Sequence, residues 1–426
     1  MKRFVPAAFA ASLFLASAAG AMLFAPGSAQ AEEKVSKAVG VPLQAAQKAI
    51  QAGDMATALA QIKMAQAVPD RTPYDDFIIN RFLSAVAANL KDFATSAQAF
   101  DATVASPEMA GQSVADRKSI YHDAIIVSAN VQHWQTVVAD GQQLEALNGN
   151  DDGTYAEVAV AYYNLKDIAN ALTYAQKSID MAKAAGKQPE QAALQIVMNS
   201  EAKSNNEAAA VETLETMAVN YNDPNNWHQL TQIAFGTKNL KELDALYIYR
   251  LCFSAGAMGN ADDFTIMASL ANQLGYPTEA LKVLQQGINS GKVSSGQASG
   301  ELGKARTGAA ADERALASLA SGAQQAKSGE LAVKQAEDYW GYSRYTDAET
   351  FARTAIAKGG MKDPSEGQMI LGMALVAQGK NDDAIAAFGQ VSGSEGRNKA
   401  AHLWSLYAQA KKKQSGSAAA APAPTH

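Results

Sequence analysis

Apolar residues recur along most of the chain at the three- and four-residue spacing of amphipathic helices, in pairs of stripes separated by short polar turns. The pattern is clearest at 371–388, where Leu371 and Leu375 belong to one stripe and Ile385 and Phe388 to the next. Two helices joined by so short a turn must pack antiparallel. The pattern therefore predicts a helical hairpin that buries one shared apolar face.

Small residues in the same stretch indicate how closely the two helices approach each other. Gly372 and Ala384 lie where the side chains of facing helices would collide, and Gly379 lies at the turn, where a positive φ favours glycine. Small residues at the contact and large residues between them are the packing rule of this hairpin.

The same rule can be applied to other segments. The small second-helix residue then falls at Ala58, Ser96, Val137, Ala171, Ala210, Leu243, Ala280, Ala348 and Ala384. By their numbering, successive copies are 33 to 41 residues apart, except for one step of 68 between Ala280 and Ala348. A step of twice 34 predicts that one repeat has degenerated, in the Gly/Ser-rich stretch 293–308, with a helix remaining at 311–327.

A helix-turn-helix unit of about 34 residues resembles the tetratricopeptide repeat. The resemblance implies an all-α fold, a right-handed α-α superhelix (solenoid) of about nine to ten such hairpins, acting as an interaction scaffold. The alternative is an ordinary Ala-rich helical bundle. Several copies keep both the turn residue and the small residue about five places later, which favours the repeat.

Residues 1–31 have the pattern of a secretory signal peptide. Lys2 and Arg3 precede an apolar stretch at 5–24, and Ala29-Gln30-Ala31 forms an Ala-x-Ala cleavage site. An uncleaved membrane anchor is the alternative, against which the Ala-rich stretch and the cleavage site argue. The mature chain is expected to be exported and to begin near Glu32, and the resemblance to exported repeat proteins implies a periplasmic location.

The remaining chain is expected to have four parts. Residues 32–290 hold the N-terminal hairpins, 291–328 a degenerate repeat or linker with one helix, 329–413 the C-terminal repeats, and 414–426 a disordered Ala/Pro tail. Beyond the signal, no segment has the roughly 20 apolar residues that span a bilayer, so no integral membrane span is expected after cleavage.

The charge balance argues against nucleic acid as a main partner. Removal of Lys2 and Arg3 leaves 34 basic against 42 acidic residues, a formal charge of −8, whereas phosphate binding needs a concentrated basic surface. Lys411 to Lys413 form a basic run that is interpreted as a solvated helix end. Cys252 is the sole cysteine, and its apolar neighbours indicate a buried thiol.

Catalysis is not expected, nor are a metal or a cofactor. The mature chain has scattered histidines without the short spacing of a zinc site, and it lacks nucleophile-elbow and phosphate-loop motifs. Four adjacent aspartate pairs fall in turns or just before helices, where they are expected to cap free amide groups. The pairs are Asp75-Asp76, Asp151-Asp152, Asp262-Asp263 and Asp382-Asp383.

Two other functions stay open. An α/α-toroid enzyme acting on glycans is also built of helical hairpins and uses paired acids, but such enzymes usually stack sugars on many tryptophans, and this chain has four. An accessory subunit of an envelope assembly or secretion complex is the third possibility.

The resemblance further implies that first helices line a groove for a protein or peptide partner. Carried over residue by residue, it places neutral polar, aromatic and Met side chains on the inward positions. They are Tyr121, Tyr163, Asn199, His228, Gln232, Phe235, Asn272, Gln273, Glu337, Trp340, Met369 and Met373. Arg81 and Lys203 bring the basic charge, and of the aromatic cluster at 338–345, Trp340 is predicted to face the ligand. Whether the groove takes an extended peptide or a helix stays open.

Overall fold

The computed structural model describes residues 34–420, with side chains up to residue 416. The predicted signal peptide, 1–31, and the last residues of the predicted tail, 421–426, lie outside the described residues. Within them the chain forms 20 α-helices and one short 3-10 segment, Pro107–Gly111, and no strand. The all-α prediction is confirmed.

The helices fall into two compact units that divide between Asn206 and Glu207. Those of the first unit are α1 (Lys37–Gln51), α2 (Met55–Gln66), α3 (Pro73–Asn89), α4 (Phe93–Ala105), α5 (Val114–Asn130), α6 (Trp134–Ala146), α7 (Asp152–Asn164), α8 (Ile168–Ala184) and α9 (Gln191–Lys203). Four hairpins follow from their packing, namely α1/α2, α3/α4, α5/α6 and α7/α8.

The second unit has eleven described helices. They are α10 (Glu207–Tyr221), α11 (Pro224–Phe235), α12 (Glu242–Ser254), α13 (Ala261–Gln273), α14 (Pro277–Asn289), α15 (Ser295–Gln325), α16 (Glu330–Gly341), α17 (Tyr345–Lys358), α18 (Pro364–Ala377), α19 (Asn381–Phe388) and α20 (Glu395–Ala420). Its hairpins are α11/α12, α13/α14, α16/α17 and α18/α19.

The packing rule read from the sequence holds in the structure. The small second-helix positions are buried at Ala58, Ser96, Val137, Ala171, Ala280, Ala348 and Ala384, and half-buried at Ala210 and Leu243. At Gly372 a Cβ would lie 2.5 Å from Cε1 of Phe388, so only glycine lets α18 and α19 come this close. The two helices of the repeat expected at Ala210 belong to different units. Helix α9 packs on α7 and α8 of the first unit, and α10 packs on α11 and α20 of the second.

The aspartate pairs cap helices, as predicted. Asp75 forms a capping box with Thr72 at the start of α3, and Asp151 is the N-cap of α7. Asp263 forms a capping box with Asn260 at α13, and Asp382 and Asp383 lie in the first turn of α19. Each carboxylate satisfies free amide groups or opposes the positive end of the helix dipole.

The stretch predicted to be a degenerate repeat or linker is more regular than its composition indicates. Helix α15 begins at Ser295 and runs for 31 residues through the Gly/Ser-rich part, and Ser294 forms a capping box with Gln297. Each helical glycine costs about 1 kcal/mol relative to alanine. Packing of α15 on α13, α14 and α16, with Ala298 and Ala305 fully buried, offsets that cost.

The predicted disorder of the tail is wrong for its first residues. Helix α20 continues from the last repeat through Gln414 to Ala420, and alanine, the best helix former, makes up the last turn. Among the described residues no helix combines the length and the apolar character needed to cross a membrane.

Candidate partner-binding faces

The first unit presents three of the predicted groove residues on successive first helices. Tyr121 lies on α5, Tyr163 on α7 and Asn199 on α9, and all three are half-buried. Helix α7 packs on both α5 and α9. The ammonium of Lys203 lies 5.8 Å from the centre of the Tyr163 ring, so α7 and α9 bring an aromatic face and a positive charge together.

The polar members of this set keep hydrogen-bonding capacity. Asn199 Oδ1 accepts a hydrogen bond from Gln195 Nε2 at 3.0 Å, which leaves its amide group to donate. Burial, and then the negative charge of Asp140, raise the pKa of Tyr121, so its hydroxyl stays a neutral donor. Arg81, the other predicted basic residue, lies with its guanidinium 5.9 Å from the Phe77 ring on α3.

Helices α11 and α13 of the second unit carry five of the predicted residues, and four of these have contacts within the unit. His228 donates from Nδ1 to the carbonyl of Ala257 at 2.9 Å, and the Phe235 ring lies 4.4 Å from that of Tyr249. Asn272 donates to Glu301 at 2.8 Å and Gln273 to Glu242 at 2.7 Å. Gln232 is exposed.

The other four predicted residues are buried, which corrects their assignment to a free groove. Glu337, Met369 and Met373 are fully buried, and Trp340 is 9% exposed. Glu337 accepts hydrogen bonds from Tyr247 and Arg250 of α12. Helix α20 packs on α10, α11, α12, α18 and α19 and brings Trp404 to 6.1 Å from Trp340, ring centre to ring centre. Trp340 thus faces a helix of its own chain.

Helix α12 lies in the middle of the second unit, because residues 246–252 are buried without interruption. Such all-round burial marks a core helix rather than a groove wall. Its Cys252 is a buried thiol, as predicted, and burial raises the pKa of that thiol to about 12.

Arg250 of α12 is the centre of a buried charge network. Its guanidinium donates two hydrogen bonds to Glu279, at 2.8 and 2.6 Å, and a third to Glu337. Tyr247 donates to the other oxygen of Glu337 at 2.7 Å, and Trp340 to Glu279 at 3.3 Å. One guanidinium therefore joins α12, α14 and α16, and breaking such a buried pair is strongly destabilising.

A second buried pair attaches the start of α20. Arg397 donates from Nε to Asp244 at 2.5 Å and from Nη1 to Ser365 at 2.8 Å. Further along α20, Trp404 donates to the carbonyl of Tyr247 at 2.9 Å and Tyr407 to that of Ser254 at 2.8 Å. Helix α20 is thus bonded to α12 along its length and to α18 at its start.

Arg250, Arg397, Trp404 and Tyr407 were not predicted. An arginine inside the apolar run 246–252 signals a buried ion pair. The spacing of Trp404 and Tyr407, three residues apart on one helix face, signals a packed face. Neither signal indicates which helix is contacted, since the hydrogen-bond partners of these four residues lie 29 to 157 residues away in sequence.

Outside this network, His122 of α5 lies between two carboxylates of the first unit. Its Nδ1 is 3.2 Å from Asp123 and its Nε2 3.7 Å from Asp151. Hydrogen bonds to Asp123 and then to Asp151 raise the pKa of His122 to about 9. Within the described part of the chain, no group of three or more His, Cys, Asp or Glu side chains is placed to hold a metal ion.

These observations define an all-helical protein built of repeated antiparallel helical hairpins. No protein-family model matches the sequence, and no curated protein matches it. Among solved structures, a tetratricopeptide repeat protein from Parabacteroides merdae is 9% identical over 80% of this chain and 100% of its own, with a TM-score of 0.31.

Two further structures are similar at the same level. The apo form of the quorum sensor NprR from B. thuringiensis is 13% identical over 75% of this chain and 97% of its own, with a TM-score of 0.32. The pentatricopeptide repeat protein PPR10 from maize is 16% identical over 98% of this chain and 66% of its own, with a TM-score of 0.31. Because these scores are low, the assignment of fold rests on the hairpins themselves.

Proposed function

We propose that this protein is an exported, non-enzymatic scaffold of the cell envelope that binds a protein or peptide partner on the first-unit face. That face comprises Arg81, Tyr121, Tyr163, Asn199 and Lys203. The observation that carries the proposal is a difference between the units. Within the described part of the first unit, helices pack on near neighbours in the chain and leave Tyr121, Tyr163 and Asn199 half-buried, whereas Glu337, Trp340, Met369 and Met373 of the second unit are buried.

The chemistry of the first-unit face suits a peptide. Half-buried tyrosines provide apolar area with a polar end and little conformational entropy to lose. The Asn199 amide can pair with a peptide backbone, and Arg81 and Lys203 favour acidic or carbonyl groups. The five residues lie on the first helices α3, α5, α7 and α9, so several modest interactions would add up along the partner.

Two further observations support the other parts of the proposal. Export is supported by the signal-peptide pattern of residues 1–31, and a periplasmic location follows if the cell has an outer membrane. A non-enzymatic role is supported by the aspartate pairs. Asp75, Asp151 and Asp263, which belong to three of the four pairs, form hydrogen bonds at helix N-termini in the structure.

Affinity capture with paired variants tests the binding face. The mature chain from Glu32 is immobilised, exposed to periplasmic extract, and the bound proteins are quantified by mass spectrometry. Replacing Tyr163 and Asn199 together by alanine should reduce recovery of the main partner at least tenfold, equivalent to about 1.4 kcal/mol. Met181→Ser, an exposed change on α8, is the matched control and should recover as much partner as the parent.

Equal recovery with the alanine pair and the control would refute the assignment of the face. Circular dichroism of each variant shows whether it is folded. Export is tested separately, by the mass of the N-terminal peptide from secreted or periplasmic protein. A chain that begins at Glu32 supports cleavage, and a chain that retains Met1 contradicts it.

A further inference from the structure

The second unit contains a cavity of about 420 Å³ that the proposed scaffold role does not use. Its walls come from α12, α13, α14, α16, α17, α18 and α20, all in this unit. Small-molecule sites in proteins commonly measure about 300 to 1,000 Å³ and combine apolar walls with a few polar groups. The cavity has the size of such a site and is lined by both aromatic and charged side chains.

Aromatic rings form one part of its lining. Trp340 lies 5.2 Å from Tyr345 and 6.1 Å from Trp404, between ring centres. Trp404 lies 5.9 Å from Tyr407, with the ring planes at 82°. All four line the cavity. Tyr345 is half-buried, whereas Trp340 is 9% and Trp404 1% exposed, so a flat apolar body would contact Tyr345 and the accessible part of Trp340.

The charged groups of the lining decide the sign of the ligand. Glu279 is its acidic side chain, and both its oxygens accept hydrogen bonds from Arg250. Lys282 and Lys411 also line the cavity. The Lys282 ammonium donates to Ser343 Oγ at 2.7 Å, and no hydrogen bond or ion pair engages the Lys411 ammonium within the described chain.

An aromatic cage alone would suit a cation. Here one guanidinium, Arg250, lies between the carboxylates of Glu279 and Glu337, which leaves one negative charge in the buried cluster. Lys282 and Lys411 add two positive charges on the half-buried part of the lining, so positive charge is in excess. An incoming cation would be repelled, and an anion would gain two charge-assisted hydrogen bonds.

We propose that this cavity binds a small aromatic acid, with its ring against Tyr345 and the accessible part of Trp340 and its carboxylate on Lys282 and Lys411. The site is independent of the first-unit face. The proposal gives the second unit a ligand of its own, which contacts helix α20 through Lys411.

Three compounds with one body and different head groups test the proposal: 3-phenylpropionate, 3-phenylpropan-1-ol and 3-phenylpropylamine. Each is titrated into the mature chain by isothermal calorimetry and by quenching of tryptophan fluorescence. The acid should bind at least about tenfold more tightly than the alcohol or the amine, which corresponds to about 1.4 kcal/mol from the charge.

Variants then locate the site. Lys282→Gln and Lys411→Gln should each weaken binding of the acid about tenfold and leave binding of the alcohol unchanged. Lys412→Gln is the matched control, because the neighbouring Lys412 is exposed and pairs with Asp382 at 2.6 Å. It should bind the acid like the parent.

The proposal is overturned if the acid produces neither heat nor quenching up to roughly 10 mM, a weak limit on the usual affinity scale. It is also overturned if the amine or alcohol binds as tightly as the acid. If Lys411→Gln and Lys412→Gln weaken binding of the acid equally, the overall charge of α20 explains the affinity, and the acid does not bind in the cavity.

Discussion

The two units use the same hairpin in different ways. In the first unit, helices pack on their near neighbours in the chain, and the inward side chains Tyr121, Tyr163 and Asn199 stay half-buried. In the second, the terminal helix α20 packs on helices from both ends of the unit, and Glu337, Met369 and Met373 are fully buried. The comparison teaches that a residue at a predicted groove position can contact a partner only where no other helix of the chain buries its side chain.

The charge networks differ in the same way. Arg250 is fully buried between Glu279 and Glu337 in the second unit, while Arg81 in the first is half-buried above the Phe77 ring. One joins helices into a core, and the other leaves its charge available to a partner.

The largest expected effect comes from Arg250→Met. It leaves two carboxylates buried without their partner and should reduce the free energy of unfolding by about 3–5 kcal/mol. Arg81→Met is the control and should change it by at most about 1 kcal/mol. Urea denaturation followed by tryptophan fluorescence checks both, since three of the four tryptophans lie in the second unit. Equal losses would remove the distinction between the units.

Trp404→Ala tests the packing of α20. Trp404 is 1% exposed, so its truncation should cost about 3–5 kcal/mol. Trp134 opens α6 in the first unit and is half-buried, so Trp134→Ala should cost clearly less. Thermal unfolding followed by circular dichroism measures the difference. A Trp404 variant as stable as the Trp134 variant would show that α20 is not part of the core.

A pair of glycine substitutions tests the close helix approach in the second unit. Gly372→Ala places a Cβ against the Phe388 ring and should destabilise by about 1–3 kcal/mol. Gly303→Ala in α15 meets no atom within 4 Å and should stabilise by up to about 1 kcal/mol through helix propensity. Chemical denaturation of both variants checks the signs. A neutral Gly372→Ala would contradict the packing rule.

The smallest effect concerns the first unit and pH. Because the pKa of His122 is raised to about 9 in the folded chain, its contribution to stability is complete below about 6.5, the unfolded pKa, and is lost as pH rises through about 9. The NMR titration midpoint of the His122 ring should therefore lie near 9. In His122→Gln the decline in stability between pH 6.5 and 9 should be smaller, and an unchanged decline would contradict the assignment.

Sequence reasoning predicted the hairpins because their determinants are local. The contact between Gly372 and Phe388, the turn at Gly379 and the caps at Asp151 and Asp263 each involve residues within about one repeat. The spacing of small and large residues within one repeat is therefore sufficient to locate most second helices.

Other features depend on contacts that spacing does not encode. Trp404 reaches Tyr247 across 157 residues, so burial of Trp340 on α20 was not predictable from the repeat frame. In α15, packing outweighs glycine propensity, and the helix predicted for 311–327 begins at Ser295. The local sequence pattern predicts that a segment is helical, but it does not predict which distant helix that segment packs on.

Hydrogen exchange on the mature chain and on a chain ending at Gly393, which lacks α20, tests the central claim most directly. Peptides covering 246–252 and 369–376 should exchange at least about tenfold faster in the shortened chain, while those covering 156–162 of the first unit keep their protection. Unchanged protection of 246–252 and 369–376 would contradict the claim that α20 is part of the core of the second unit.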